Sequence, residues 1–100
     1  MKHLLIVYHS QSGRNQALAL TVFEASRLNR VVETRLLDAY EASAQDWLWS
    51  DAFMLIGPEN FGAIAGGLKQ FLDRIYYPCL DAQVSGLHQA KPYLLIMNWQ

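Results

Sequence analysis

LLIVYHSQSGRNQALAL, residues 4–20, places an apolar run, a short polar segment and a helical pattern in direct succession. The apolar run from Leu4 to Tyr8 does not alternate with polar residues, which is typical of a strand buried on both faces of a parallel sheet. In the helical part and just beyond it, Leu18, Val22 and Ala25 fall on one stripe. The stretch therefore predicts a buried strand that leads through a polar loop into a helix.

Three further runs have the length of strands. Ala52 to Gly57 and Tyr93 to Met97 are continuous apolar runs, whereas Val31 to Leu37 is more polar and is predicted to form an edge strand. Helical patterns separate them: a short one around Ala44 to Leu48, and a longer one whose apolar face consists of Leu68, Phe71, Leu72 and Ile75. Strands that alternate with helices predict an α/β fold with a doubly wound parallel sheet and right-handed crossovers.

The segment from Pro78 to Lys91 shows no clear periodicity. We predict a long connection there. Connections of this length in compact domains serve as lids, interface segments or mobile segments, and the sequence leaves all three open.

The composition narrows the class of protein. Of 100 residues, 52% are hydrophobic and 17% are charged, which predicts one folded domain rather than a disordered chain. The formal net charge of −1 offers no basic surface for nucleic acid or for an anionic membrane. No apolar run approaches the roughly 20 residues of a membrane span, no signal peptide is recognisable, and the single Cys79 cannot form an internal disulfide. We therefore expect a soluble cytoplasmic protein that binds neither nucleic acid nor membranes.

The first polar loop, His9 to Asn15, has the properties of an anion site. It follows a buried strand and opens a helix, so its backbone N–H groups lie among the unpaired donors of a helix N-terminus. Ser10 and Ser12 add hydroxyl groups, Gly13 permits close approach of a ligand, and Asn15 adds an amide donor. The alternative is that Ser12 or Asn15 merely caps the helix. Because neither nucleotide fingerprint, G-x-x-x-x-G-K-[ST] or G-x-G-x-x-G, is present, we predict a bound monophosphate.

A second loop, Gly57 to Gly67, follows the third strand of the chain. The first and third strands flank the point where an open α/β sheet binds its ligands. Pro58 stiffens the turn, Gly62 allows a backbone geometry that a side chain would block, and Phe61 offers a flat apolar surface. The alternative is a Gly/Pro turn with Phe61 tucked into the core.

The motifs YHSQSGRN and IGPENFGAIAGGLKQFLDRIYYPC together resemble flavodoxin-like FMN-binding proteins, in particular the NAD(P)H-dependent FMN and quinone reductases of that fold. The resemblance covers nearly the whole chain. It implies one flavodoxin-like FMN-binding domain over residues 1–100 with strand order 2-1-3-4. It also implies that the usual fifth strand is absent from this chain, so that the domain is short at its C-terminus.

The resemblance assigns three groups of residues to FMN. Its phosphate loop corresponds to Ser10, Gln11, Ser12, Gly13, Arg14 and Asn15. Its flavin-ring loop corresponds to Pro58, Glu59, Asn60, Phe61 and Gly62. Its third loop, after the fourth strand, corresponds to Asn98, Trp99 and Gln100. Asn15 stands where the family often has threonine, and Arg14 either adds a positive charge beside the phosphate or pairs with a nearby acid.

No catalytic side chain and no metal site are predicted. The cofactor performs the chemistry in such proteins, so no acid or base is required of the chain. His3, His9 and His88 are far apart in the sequence and are predicted to be structural or exposed. Cys79 is expected to be a buried or semi-buried thiol, and Trp47 and Trp49 to be packing residues on the short helix.

The resemblance implies an FMN-dependent oxidoreductase that transfers reducing equivalents from NAD(P)H, as co-substrate, to a quinone, a flavin or a similar small acceptor. Two alternatives remain open. A small FMN electron carrier, a flavodoxin, would use the same site, although such carriers usually have strongly acidic surfaces and this chain is nearly neutral. A flavin-free interaction or regulatory module on the same fold would also fit a chain that lacks the C-terminal third.

The fourth strand, Tyr93 to Met97, is expected to be an exposed apolar edge. Edges of this kind invite aggregation or pairing with another chain. Three explanations stay open: the chain is a truncated product, it comes from a naturally short gene, or it is one subunit of an assembly that covers the edge. Because family members are commonly dimers or tetramers, we expect a homo-oligomer.

Overall fold

The computed structural model of the chain describes residues 1–84 and 91–98. Within these residues the strands are β1 (Lys2–Tyr8), β2 (Val32–Asp38), β3 (Ala52–Asn60), β4 (Ala63–Ile64) and β5 (Tyr93–Asn98). The helices are α1 (Arg14–Ser26), α2 (Ala44–Trp49) and α3 (Gly66–Val84). In the part of the chain so described, none of the helices has the length and apolar character that crossing a membrane requires.

Four of the strands form a parallel sheet in the order β2-β1-β3-β5. Counted along the chain, these are the first four parallel strands in the order 2-1-3-4, so the predicted α/β class and strand order are confirmed. The more polar β2 lies at one edge of the sheet, as predicted, and β5 lies at the other. The two-residue β4 adds an antiparallel pairing to the far end of β3.

Helices cover both faces of the sheet. On one face, α2 and α3 pack against Leu5, Val7 and Leu55. On the other face, α1 packs against Ile6 and Ile56. Successive side chains of a strand point to opposite faces, so a strand covered on both sides must be apolar at every position. This is the physical reason for the continuous apolar run in β1.

Helix α3 runs through a segment that the sequence analysis assigned to a loop. It continues past Pro78 to Val84, so the prediction of an irregular connection was wrong for residues 78–84. Proline lacks the backbone N–H that a helix interior uses and usually ends or kinks a helix. Here Cys79 and Ala82, both buried, keep the helix packed on the core beyond the proline. The rest of the predicted connection, residues 85–90, lies outside the described residues.

Strand β5 is apolar and open to solvent. Among the described strands it pairs with β3 alone. Four of its side chains are exposed, to 67%, 53%, 42% and 40% respectively: Tyr93, Leu94, Leu95 and Met97. The predicted exposed apolar edge is therefore present, although Ile96 packs against the core cluster of Ile6 and Ile56.

Candidate functional site

The candidate site lies where the carboxyl ends of β1, β2 and β3 meet. The N–H of His9 donates to the carbonyl of Ile56 at 2.9 Å, which holds the first loop against the end of β3. The N–H of Ala39 donates to the carbonyl of Tyr8 at 2.8 Å, which holds the segment after β2 against the same loop. Three chain segments that are far apart in sequence thus converge at the edge where such sheets bind ligands.

The first loop ends in a backbone geometry that glycine favours. Gly13 has a φ of 97° at the position preceding α1, and its N–H donates to the Ser10 hydroxyl oxygen at 3.0 Å. Helix α1 begins at Arg14, and in the described part of the chain its N-cap position makes no side-chain cap hydrogen bond. Glycine at the N-cap has no side chain that could cap the helix, and the N–H groups of that turn and the helix dipole favour an anion here.

The six phosphate-loop residues do not all face solvent. Gln11, Ser12, Gly13 and Arg14 are exposed, whereas Asn15 is completely buried. The Asn15 side-chain oxygen accepts a hydrogen bond of 2.7 Å from Asn98 Nδ2. Asn15 thus lies beneath the loop in this conformation, and its contact with a phosphate stays a prediction.

Arg14 is exposed at the start of α1. Among residues 1–84 and 91–98, no carboxylate forms an ion pair with it. The surface ion pair is therefore not seen among these residues, and a contact of Arg14 with a phosphate stays a prediction.

The second loop is a hairpin. Strand β3 extends through Pro58 to Asn60, where the sequence analysis placed the loop, and it turns back into β4 at Phe61 and Gly62. These two residues have φ values of 52° and 75°, and positive φ at both central positions is the requirement of a type I′ turn. Because a bulky side chain is strained at positive φ, the turn stores on the order of 1–3 kcal/mol at Phe61.

The Phe61 ring is fully exposed, at 109% of its reference area. The alternative that it tucks into the core was therefore wrong. An aromatic ring that is held in a strained turn and exposed to solvent is a signal of a binding surface, because strain persists at ligand sites and is rarely retained elsewhere.

The His9 ring packs over Gly67 and joins the first loop to α3, a contact that the sequence alone did not predict. A Cβ built on Gly67 would lie 2.7 Å from Cε1 and 2.8 Å from Cγ of the His9 ring, so only glycine admits the ring there. The same ring meets Tyr40 edge-on at 5.5 Å. A Cβ on Gly57 would likewise collide with Leu68. The glycine pair at the start of the helical pattern was the available signal.

Carboxylates lie close to the site. Partial burial raises the pKa of Tyr8 at the end of β1. The negative charges of Asp38 and Glu41 raise it further, whereas a hydrogen bond with Gln16 lowers it. Glu59 lies on the hairpin at the same edge of the sheet. Asp38, Glu41 and Glu59 therefore place three carboxylates near the site.

The remaining candidates lie elsewhere. His3 stacks on Trp49 at 4.3 Å and is structural, as predicted, and Trp47 is a buried packing residue. Burial raises the pKa of the Cys79 thiol to about 11, which makes it inert at neutral pH. His, Cys, Asp and Glu side chains of the described residues form no group of three that could hold a metal ion. His88, Trp99 and Gln100 lie outside the described residues.

Comparison with known proteins finds similarity to flavodoxins. No protein-family model matches the chain. A curated flavodoxin from Aquifex aeolicus (strain VF5) is 31% identical over 75 residues, which are 75% of this chain and 40% of that flavodoxin. The structure of a flavodoxin from the domain Archaea superposes with a TM-score of 0.70 at 14% identity, covering 97% of this chain and 84% of that one. The chain has a flavodoxin-like fold.

A second solved structure agrees. The two-electron reduced flavodoxin of Megasphaera elsdenii has a TM-score of 0.69 at 18% identity, covering 95% of this chain and 85% of that one. The predicted flavodoxin-like fold is thus confirmed. The assignment to the NAD(P)H-dependent reductases within that fold stays a prediction. Because the chain spans less than half the length of the curated relative, the relative's activity is not transferred with the fold.

Proposed function

We propose that the chain binds FMN at the carboxyl edge of its sheet and serves as a small electron carrier. The observation that carries this proposal is the position of two exposed features at the ends of adjacent strands. The N-terminus of α1, with Gly13 at its N-cap and the exposed Arg14 beside it, follows β1, and the exposed Phe61 ring in its positive-φ turn follows β3. An anion site next to a flat apolar surface matches a phosphorylated aromatic cofactor.

The first loop would hold the phosphate. The Ser10 oxygen accepts from the Gly13 N–H, which leaves the hydroxyl proton able to donate to a ligand. Ser12, Gly13 and Arg14 are exposed on the same turn. A dianionic phosphate fits this donor set, because hydrogen bonds to charged groups are the strongest of their kind and the helix dipole adds to them.

The hairpin would hold the flavin ring. Phe61 offers an apolar face, and Gly62 leaves the adjacent backbone uncovered. The assignment of Pro58, Glu59, Asn60, Asn98 and Trp99 to the ring side rests on the family resemblance. FMN supplies the redox chemistry when bound, and this chain binds and orients it.

Two observations favour the carrier over the reductase that the resemblance suggested first. The relatives reported above are flavodoxins. The rim carries the carboxylates of Asp38, Glu41 and Glu59, while the nearby Arg74 turns inward to the carbonyls of Ala39 and Ala42, at 2.6 and 2.9 Å. Negative charge near the site steers a cationic redox partner, whereas the overall charge of −1 averages over the whole surface.

FMN titration of the purified apoprotein tests the proposal, with riboflavin as a ligand that lacks the phosphate. We expect FMN to bind at least about tenfold more tightly than riboflavin, since two or more charge-assisted hydrogen bonds are lost with the phosphate. Arg14→Gln should weaken FMN binding alone, and Phe61→Ala should weaken both ligands. Arg30→Gln, the same change at an exposed position beyond the other end of α1, serves as the control. Absence of FMN binding would refute the proposal.

The loaded protein distinguishes carrier from reductase. Once reduced with dithionite, it should pass electrons to a one-electron acceptor such as cytochrome c. It should not oxidise NADH or NADPH in the presence of a quinone. Steady oxidation of NADH or NADPH would instead support the reductase function.

We also infer that the open edge of β5 pairs with β5 of a second copy. The Phe53 N–H donates to the Pro92 carbonyl at 3.2 Å, which sets the hydrogen-bonding pattern of the parallel pair. In that pattern the backbone groups of alternate residues point to β3, and those of the others point outward: Tyr93, Leu95 and Met97.

An antiparallel pairing centred on Leu95 uses all of these outward groups. It places Leu95 opposite itself and Tyr93 opposite Met97, each as a hydrogen-bonded pair. The strand contains no charged residue and no proline, so nothing in it opposes self-association. Such an interface is symmetric, which is the usual arrangement in homodimers.

A further inference from the structure

Helix α3 carries an apolar groove along one flank. The groove has a volume of about 270 Å³ and is lined by six side chains of α2 and α3: Trp47, Leu72, Ile75, Tyr76, Cys79 and Leu80. Of these, Tyr76 and Leu80 are exposed to solvent. Contiguous apolar surface of this kind on a folded protein is typical of a contact surface.

Aromatic side chains connect the groove to the open edge of the sheet. Lys91, two residues before β5 begins, places its Nζ 4.1 Å from the centre of the Trp47 ring. The Trp47 ring lies 6.3 Å from Phe53, and Phe53 stacks on Tyr93 of β5 at 5.5 Å. The groove and the edge strand therefore belong to one continuous region of the molecule.

The opposite flank of α3 is already occupied. Arg74 donates to the carbonyls of Ala39 and Ala42, at 2.6 and 2.9 Å, in the segment that follows β2. Leu68 lies so close to Gly57 that a Cβ there would collide with it, which places α3 above β3. Because β2 and β5 are the opposite edges of the parallel sheet, these contacts orient the groove toward β5.

The face of β5 beside the groove is apolar as well. Phe53, on which Tyr93 stacks, packs in the cluster on the α3 side of the sheet, whereas Ile96 packs in the cluster on the α1 side. Since side chains alternate along a strand, Leu95 and Met97 lie on the same face as Tyr93. All three are exposed. The groove and these three side chains together are called the α3–β5 surface.

Antiparallel pairing of two β5 strands brings two α3–β5 surfaces together. The two-fold axis is perpendicular to the joined sheet, so both α3 helices lie on the same face, one on each side of the strand pair. Strands are about 4.8 Å apart, so the two β3 strands beneath the helices are about 14 Å apart. A helix with its side chains is about 10–12 Å across, so long side chains on the facing flanks meet.

The groove flank of α3 is self-complementary in charge. Lys69, Asp73, Tyr76 and Leu80 follow one another at intervals of four, three and four residues, which places them on one stripe of the helix. Lys69 and Asp73 form an exposed ion pair. Because α3 runs antiparallel to its symmetry mate, Lys69 of each copy lies toward Asp73 of the other.

We propose that this flank of α3 is the second half of a dimer interface, in which α3 of a second copy packs against the α3–β5 surface with Tyr76 as the anchor. The inference rests on the pairing of β5 proposed above and does not depend on FMN. Aromatic residues are the usual anchors of interfaces, and here one stripe combines an aromatic anchor with complementary charges.

Tyr76→Lys tests the inference, with Tyr77→Lys as the matched control. Both are exposed tyrosines of α3, and within the described residues Tyr77 does not line the groove. Tyr76→Lys should raise the dimer dissociation constant, measured by sedimentation, at least about tenfold, whereas Tyr77→Lys should change it less than about twofold. Equal effects of the two substitutions would overturn the inference. If Tyr76→Lys does not fold, Tyr76→Ala removes the same ring without adding charge and carries the same expectation.

Charge reversal tests the antiparallel arrangement of the helices. Lys69→Asp and Asp73→Lys each place like charges opposite one another in the dimer, so each should weaken it. The double variant restores the attraction and should dimerise within about twofold of the unmodified protein. A double variant that dimerises as weakly as either single variant would overturn the inference.

Comparison with Leu95→Lys separates this inference from the pairing of β5. If Leu95→Lys dissociates the dimer and Tyr76→Lys does not, the helix contact fails and the strand pairing stands. If only Tyr76→Lys dissociates it, the strand pairing fails and the helix contact stands. A monomeric unmodified protein would overturn both. FMN affinity, measured in the same samples, tests the cofactor site separately.

Discussion

Gly67→Ala is expected to destabilise the protein although alanine is the better helix former. Gly67 lies in the first turn of α3, where the change to alanine by itself favours the helix by up to about 1 kcal/mol. The new methyl group would lie 2.7 Å from Cε1 and 2.8 Å from Cγ of His9, closer than carbon atoms approach in folded proteins. The whole ring must move, and overpacking of this kind costs about 1–3 kcal/mol.

The balance of the two effects is a loss of up to about 3 kcal/mol in the free energy of unfolding. Gly66→Ala is the matched control, because a Cβ built on this preceding glycine meets nothing within 4 Å in the described structure apart from its chain neighbours and the backbone of its own helix. The control should be neutral or stabilised by up to about 1 kcal/mol. Urea unfolding of both variants, followed by far-UV circular dichroism, measures the difference.

The contact predicts more than stability. Because His9 begins the first loop, Gly67→Ala should also weaken FMN binding, and His9→Ala combined with Gly67→Ala should recover the lost stability. Equal stability of the two alanine variants would refute the reasoning, since it would mean that the His9 ring does not occupy the space over Gly67.

Three other predictions concern the rest of the molecule. Leu95→Lys places a charge at the centre of the open edge and should convert a dimer into a monomer, which light scattering measures. If the unmodified protein is already monomeric, self-association through β5 is contradicted. Burial raises the pKa of Cys79 from its ordinary 9.0 to about 11, so the thiol ionises first in the unfolded chain, and its contribution to stability is lost as pH rises between these values. Urea midpoints of the protein and of Cys79→Ala should converge over that range, and parallel pH profiles would count against burial of the thiol. Lys91→Met removes an ammonium group that donates to the carbonyls of Trp47, at 2.6 Å, and of Ser50. It should lower the free energy of unfolding by about 1–3 kcal/mol, and an unchanged free energy of unfolding would contradict this.

The sheet was predictable because its strands are buried on both faces. A strand such as β1 must be apolar at Leu5, Ile6 and Val7 alike, so a short local window of sequence carries the signal. The polar edge strand β2 and the loop at the carboxyl end of β1 follow from the same local patterns. These features depend on neighbours in the sequence.

The features that were missed depend on neighbours in space. Pro78 continues a helix because the residues after it pack on the core, which its own propensity argues against. The extension of β3 into a hairpin requires a phenylalanine at positive φ, which turn preferences disfavour. The burial of Asn15 comes from a partner 83 residues away. In each case tertiary contacts override the local preference, and two of the three lie at the candidate site.

The turn at Phe61 affects the stability of the protein without its ligand. Asparagine or glycine would relax the backbone at this position and give a more durable free protein, with less apolar surface for unwanted contacts. A phenylalanine is a disadvantage to the isolated molecule and becomes an advantage only when something covers its ring. The hairpin therefore lowers the stability of the free protein in favour of ligand affinity. The protein is expected to be most resistant to heat and proteolysis when its ligand is bound.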